Sequence, residues 1–129
     1  MKKLFILFTL ILLVFSVNAQ LSFTSYKNHF IKDKNGKFIT EKENLYEIKF
    51  VIDGNVMFVD DLANSRYSII SKPTYEYQEI GKYTFFSAID EKNIKCTIIL
   101  FKPTDDDSSP LLSILYDNWG IIYFIYKNN

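Results

Sequence analysis

Alternation of apolar and polar side chains with a period of two is the feature that most restricts the fold of this 129-residue chain. In residues 45–52 every second side chain from Tyr46 to Ile52 is apolar, and Glu47 and Lys49 lie between them. A β-strand places successive side chains on opposite faces. The pattern therefore predicts a strand with one buried and one solvated face.

Residues that favour tight turns separate the alternating segments. Gly54 and Asn55 follow the strand just described, and residues 56–59 lead the chain back. Asn35-Gly36 stands in the same way between residues 28–31 and residues 37–40. Because Gly and Asn accept a positive φ, both segments predict β-hairpins.

The rest of the chain continues this pattern without a repeat or a linker. Further strands are predicted over residues 21–23, 67–71, 74–78, 82–89, 94–101, 111–116 and 121–126. Residues 111–116 could instead form a short helix, because Ser109 is a good N-cap and Pro110 suits the first helical position. We expect an all-β fold of about eight strands, an antiparallel meander that forms a small barrel or a strongly curved sheet. A Greek-key sandwich is less favoured because no long crossover connection is present.

The first 19 residues have the pattern of a secretory signal peptide. Lys2 and Lys3 precede an apolar run over residues 4–14, and small side chains at Val17 and Ala19 suit cleavage before residue 20. The run is too short for a typical membrane anchor, which is the alternative. We therefore expect residues 1–19 to be removed, residues 20–129 to form one β domain without a membrane span, and the protein to be secreted or periplasmic.

Charge and composition narrow the classes of partner. The 15 basic side chains balance the 15 acidic ones, and loss of Lys2 and Lys3 would leave the mature chain slightly acidic. Nucleic acids and anionic membranes select a basic surplus, so we expect neither as a partner. The nine Tyr and twelve Phe residues favour the half-buried surfaces of β-sheets.

Few residues could carry out catalysis or bind a metal ion. His29 is the only histidine and Cys96 the only cysteine, which is too few for a zinc cluster. We expect Cys96 to be a buried, inert thiol; the alternatives are an intermolecular disulfide or a reactive thiol. Asp105, Asp106 and Asp107 are consecutive and lack the spacing of a calcium loop. The sequence therefore predicts no catalytic residue, no metal site and no cofactor.

Aromatic residues are the strongest candidates for a binding role. Tyr75, Tyr77 and Tyr83 lie close together in the sequence, and Trp119 lies at a predicted turn. Tyr and Trp combine a large contact area with a polar group, and they are enriched at binding surfaces. The alternative is that these four side chains fill or border the core.

These observations favour a secreted, non-catalytic binding module that uses an aromatic surface or cavity for a small molecule or a protein. Two alternatives remain open. One is a structural protein of the cell envelope. The other is a small hydrolase, or an accessory subunit of one, that uses Asp residues brought together by the fold.

Short motifs also carry a resemblance to a known group of proteins. They are Ala19-Gln20, Ile52-Asp53, Ala88-Ile89-Asp90, Ile94-Lys95-Cys96 and an aromatic hairpin over residues 116–123. In these motifs the chain resembles small secreted bacterial all-β proteins to which no activity is assigned. The resemblance implies the fold and no catalytic residue. A calycin-like barrel is a further analogy, but the amino-terminal Gly-x-Trp of lipocalins is missing, so their ligand site is not carried over.

Overall fold

The computed structural model describes residues 21–61 and 64–126, and in these residues it contains ten β-strands and no helix. The strands are β1 (Leu21–Lys34), β2 (Lys37–Asn44), β3 (Ile48–Asp53), β4 (Val56–Asp60), β5 (Ser65–Ile69), β6 (Thr74–Gln78), β7 (Gly81–Ile89), β8 (Lys95–Pro103), β9 (Leu111–Leu115) and β10 (Trp119–Ile125). The predicted signal peptide and its cleavage site lie outside the described residues.

Eight of these strands close into a barrel. Around the ring the order is β1, β3, β4, β5, β7, β8, β9 and β10, and every neighbouring pair is antiparallel. Pairing of β1 with β10, from Ser25 opposite Ile125 to Lys32 opposite Trp119, closes the ring. The predicted all-β antiparallel barrel is confirmed. Because β1 and β10 pair with each other, the eight-stranded ring has no unpaired edge strand.

Strands β2 and β6 lie outside the ring and extend it at opposite ends. The first residues of β1 pair with β3, whereas residues 28–34 pair with β2. In the same way the last residues of β7 pair with β5, and residues 81–85 pair with β6. Each long strand therefore continues past the barrel and carries a short partner. We call the end with the β6–β7 hairpin the mouth and the end with the β1–β2 hairpin the base.

The barrel interior is filled by the side chains that alternation predicts. Ile48, Phe50 and Ile52 on β3 are buried, and they belong to one core cluster with residues from the other ring strands. The Phe50 ring meets the Tyr123 ring edge to face, with 4.7 Å between centroids. Burial of each large apolar side chain contributes about 1.5–3 kcal/mol. Most of the stability therefore comes from this core.

Several element ends differ from the predicted ones, and one alternative is settled. Tyr46 was expected on the buried face, but β3 begins only at Ile48 and the Tyr46 side chain is 47% exposed. Ile94 is 50% exposed for the same reason, because β8 begins at Lys95. Residues 111–115 form strand β9, so the helical alternative is wrong. The Asn35-Gly36 turn is confirmed, with φ of +55° and +85°.

No helix long and apolar enough to cross a membrane occurs in residues 21–61 and 64–126.

Candidate functional site

A cavity of about 460 Å³ opens at the mouth of the barrel. Its floor consists of interior side chains from four ring strands, namely Phe23, Leu100, Leu112 and Ile125. Leu112 and Ile125 are core residues, and Phe23 and Leu100 pack against them. The cavity is therefore the open upper part of the hydrophobic core, and its size lies within the range of small-molecule sites.

The β6–β7 hairpin forms one wall above this floor. Thr84 and Lys82 line the cavity, and their partners across the hairpin are Tyr75 and Tyr77. Directly opposite residues of an antiparallel pair share a face. Both tyrosines therefore lie on the face that continues the barrel interior. The Lys82 Nζ is 4.5 Å from the Tyr75 ring centroid and 5.5 Å from that of Tyr77, which is cation–π geometry.

Two lysines stand at directly opposite positions at the rim of the mouth. Lys82 on β7 pairs with Lys102 on β8, and both residues line the cavity. Like charges at directly opposite positions of a sheet are destabilising. Asp105 and Asp106 also line the cavity. The rim thus presents both lysine and carboxylate groups beside an apolar floor.

The loop of residues 104–110 forms the opposite rim. Thr104 anchors it to the β6–β7 hairpin, since its hydroxyl donates to the Glu79 carbonyl at 2.7 Å. Within the loop, the Asp105 carboxylate accepts the Asp107 N–H at 2.9 Å and the Ser108 hydroxyl at 3.0 Å. Asp105 therefore orders the loop. No group of three His, Cys, Asp or Glu side chains in the described residues could hold a metal ion.

A second depression of about 530 Å³ adjoins the first at the mouth. Leu100 lines both, and Ile52, Phe86 and Ile70 line the second. The lining is again mostly apolar. Leu100 therefore stands at the centre of a wide apolar opening.

The base of the barrel is closed by tyrosine side chains. The Tyr116 hydroxyl donates a hydrogen bond to the Asp90 carboxylate at 2.8 Å. Burial raises the pKa of Tyr67 to about 12 and that of the Cys96 thiol to about 11. Burial opposes ionisation of Asp90, but the N–H groups of residues 94 and 92 and the Tyr116 hydroxyl outweigh it and lower the pKa of Asp90. These groups hold fixed protonation states at neutral pH.

The structure separates the four aromatic residues singled out from the sequence. Tyr75 and Tyr77 lie together at the mouth, 55% and 74% exposed. Tyr83 lies on the opposite, outer face of the hairpin, where its ring contacts the Phe101 ring at a centroid distance of 4.6 Å. Trp119 lies at the base and stacks on Tyr116 with 4.4 Å between centroids.

The two residues considered for nucleophilic or acid–base chemistry lie in ordinary surroundings. Cys96 is a buried, free thiol of the core. His29 is half-buried on β1, with its Nε2 3.7 Å from Glu43 and its ring edge against Phe124. Neither residue lines the mouth cavity.

Sequence reasoning missed the residues that surround Tyr75 and Tyr77. Lys82 and Thr84 belong to the inner face of β7 because they stand four and two residues before Phe86 in strict alternation. That alternation is visible in the sequence. Leu100 and Lys102 continue the inner face of β8 in the same way. The sequence does not reveal that the first residues of β7 and the last residues of β8 project beyond the packed core.

Comparison with family models, curated proteins and solved structures finds no match to this chain. The fold and the site therefore define the class of the protein. It is a closed, antiparallel, eight-stranded β-barrel with two hairpin extensions and an apolar cavity at one end.

Proposed function

We propose that this protein is a non-catalytic binding protein that works outside the cytoplasm, secreted or periplasmic, and holds a small amphiphile in the mouth cavity. The amphiphile has an apolar body and an anionic head group. The observation that carries this proposal is an apolar floor with two lysines, Lys82 and Lys102, at directly opposite positions on its rim.

The apolar part of the ligand would lie on the barrel interior. Phe23 and Leu100 line the cavity and are only partly buried, so they leave apolar surface open at the mouth, above the buried Leu112. Removal of such surface from water contributes about 25 cal/mol per Å². An acyl chain or a flat hydrocarbon ring would gain this energy by entering the cavity.

The head group would lie between Lys82 and Lys102. Lys82 and Lys102 stand at directly opposite positions, and an anion bound by both would reduce the repulsion between like charges. The rings of Tyr75 and Tyr77 orient Lys82 before the ligand arrives, which reduces the entropy lost on binding. Export rests on the predicted signal peptide, and amino-terminal sequencing of the exported protein should find Gln20 as its first residue.

A matched series of amphiphiles tests the ligand class. Isothermal titration should give the highest affinity for decanoate and a lower one for decan-1-ol. The affinity for hexanoate should be the lowest, because the shorter chain buries less apolar surface. Binding should also raise the melting temperature. A decanoate concentration about tenfold above Kd stabilises the native state by about 1.4 kcal/mol, or roughly 5–10 °C for a domain of this size.

Two substitutions on one strand locate the site. Thr84→Phe adds a ring inside the cavity, and Ser87→Phe adds the same ring on the exposed outer face of β7. The first should weaken decanoate at least about tenfold, a loss of about 1.4 kcal/mol, and the second should leave binding unchanged. Lys82→Met should weaken decanoate but not decan-1-ol. Equal effects of the two phenylalanine variants, or no binding of any amphiphile, would contradict the proposal.

A further inference from the structure

A further cleft, separate from the two depressions at the mouth, lies at the base of the barrel. It measures about 410 Å³ and is lined by Phe30, Lys32, Glu41, Asn118 and Trp119. We propose that this cleft is a binding site for a neutral oligosaccharide, with a sugar ring packed on the aromatic side chains and its hydroxyl groups bound by the polar ones. The proposal is independent of the mouth cavity, with which it shares no lining residue.

The aromatic part of the cleft is held rigidly. Trp119 stacks on Tyr116 with an angle of 10° between the rings, and Phe30 lies 5.6 Å from Trp119 at an angle of 29°. The Tyr116 ring is itself fixed by its hydrogen bond to Asp90. Aromatic surface that is already fixed loses little entropy when a ligand covers it. The faces of these rings are electron-rich, and the C–H groups on one side of a pyranose ring complement them.

The backbone around Trp119 is equally constrained. The Tyr116 N–H donates to the Trp119 carbonyl at 2.8 Å, which closes the turn between β9 and β10. The Asp33 N–H donates to the Asn118 carbonyl at 2.9 Å, which ties that turn to β1. These bonds fix the backbone at Asn118, whose exposed side chain lines the cleft.

An irregularity in β2 brings a carboxylate to the same cleft. Phe30 pairs with Lys42, but the next residue, Ile31, pairs with Thr40, so Glu41 is left unpaired in a β-bulge. Bulges redirect a side chain and are over-represented beside functional sites. Glu41 lines the cleft and also contacts Lys34 at 3.5 Å.

The polar lining suits hydroxyl groups and carries little net charge. Lys32 supplies only donors, Glu41 only acceptors, and the Asn118 amide supplies both. A sugar hydroxyl both donates and accepts, so each of these groups can pair with one. Lys34 pairs with Glu41 beside the cleft, and Lys32 lines it; the hydroxyl groups of a neutral sugar can bind both the ammonium and the carboxylate groups.

The single tryptophan of the chain makes this site directly observable. Trp119 lies in the cleft, so its fluorescence reports the base alone. Titration of the protein with cellohexaose, maltohexaose and chitohexaose should produce a saturable change in emission with at least one of them. Decanoate, which is expected at the mouth, should leave the emission unchanged.

Variants of the lining residues test whether the fluorescence change comes from sugar bound in the cleft. Phe30→Leu and Glu41→Gln should each weaken the responding sugar about tenfold, which corresponds to about 1.4 kcal/mol. Phe38→Leu is the matched control, since Phe38 is an exposed aromatic residue of the same hairpin that does not line the cleft. No saturable change with any of the three sugars at about 10 mM, or an equal loss in Phe38→Leu, would overturn the proposal.

Discussion

Substitution of Tyr116 by Phe removes one oxygen atom from the base of the barrel. That oxygen donates a 2.8 Å hydrogen bond to the Asp90 carboxylate. The ring remains, so its stacking on Trp119 is preserved. The variant therefore measures the hydrogen bond alone.

The expected loss follows from this bond. A hydrogen bond to a charged group contributes about 1.5–3 kcal/mol. Asp90 is partly exposed, so solvent weakens the bond and the lower end of this range applies. The free energy of unfolding of Tyr116→Phe should fall by about 1.5 kcal/mol, and the melting temperature by roughly 8 °C.

Urea unfolding monitored by circular dichroism gives this difference, provided that the m value is unchanged. A double-mutant cycle with Asp90→Asn isolates the charged partner, because the asparagine oxygen still accepts from the N–H groups of the turn. In that background the effect of Tyr116→Phe should shrink to that of a weak neutral hydrogen bond, about 0.5 kcal/mol. The effect should also shrink as the pH falls below 3.8: the pKa of Asp90 is lowered in the folded state, so its contribution is lost on acidification.

The reasoning would be refuted by a loss below about 0.5 kcal/mol, the smallest value expected for even one hydrogen bond. An equal loss in the wild-type and Asp90→Asn backgrounds would also refute it, since it would exclude the carboxylate as a partner.

Two further predictions concern stability. Burial raises the pKa of Cys96 from 9.0 to about 11 and that of Tyr67 from 10.0 to about 12. As the pH rises, both groups therefore ionise in the unfolded chain before they ionise in the folded one. The free energy of unfolding should consequently fall steadily from about pH 9 upward. Urea unfolding at several alkaline pH values should show that the free energy of unfolding of Cys96→Ala begins to fall only at a higher pH than that of the wild type. A wild-type free energy of unfolding that stays constant up to about pH 11 would contradict this. Gly120→Ala would place a Cβ 2.8 Å from the Ile114 carbonyl and 2.6 Å from a Leu115 methyl group, and should cost about 1–3 kcal/mol. An unchanged melting temperature would show that the strands move apart freely.

The strands and the core were predictable because the signals for them are local. The burial of Phe50 and Ile52 follows from alternation within one short segment, and the turn at Asn35-Gly36 follows from two residues. The ring itself depends on contacts between distant residues. Ser25 pairs with Ile125, and nothing near either residue in the sequence specifies that partner.

The candidate sites were predictable only in part for the same reason. Tyr75 and Tyr77 stand out by composition, but their position above the cavity depends on pairing with β7 beyond the ring. Tyr83 is near them in sequence, yet the period of two places it on the other face. Trp119 and Phe30 meet only because β1 pairs with β10.

Mapping of decanoate on the barrel by amide chemical shifts tests the proposed function most directly. Saturable shifts should be confined to the mouth, at the amides of Thr84, Leu100 and Leu112, whose side chains line the cavity. The amide of Gly120 at the base should not move. Shifts centred on the base or on the outer face of the barrel, or no shifts at saturating decanoate, would contradict the assignment of the mouth cavity as the binding site.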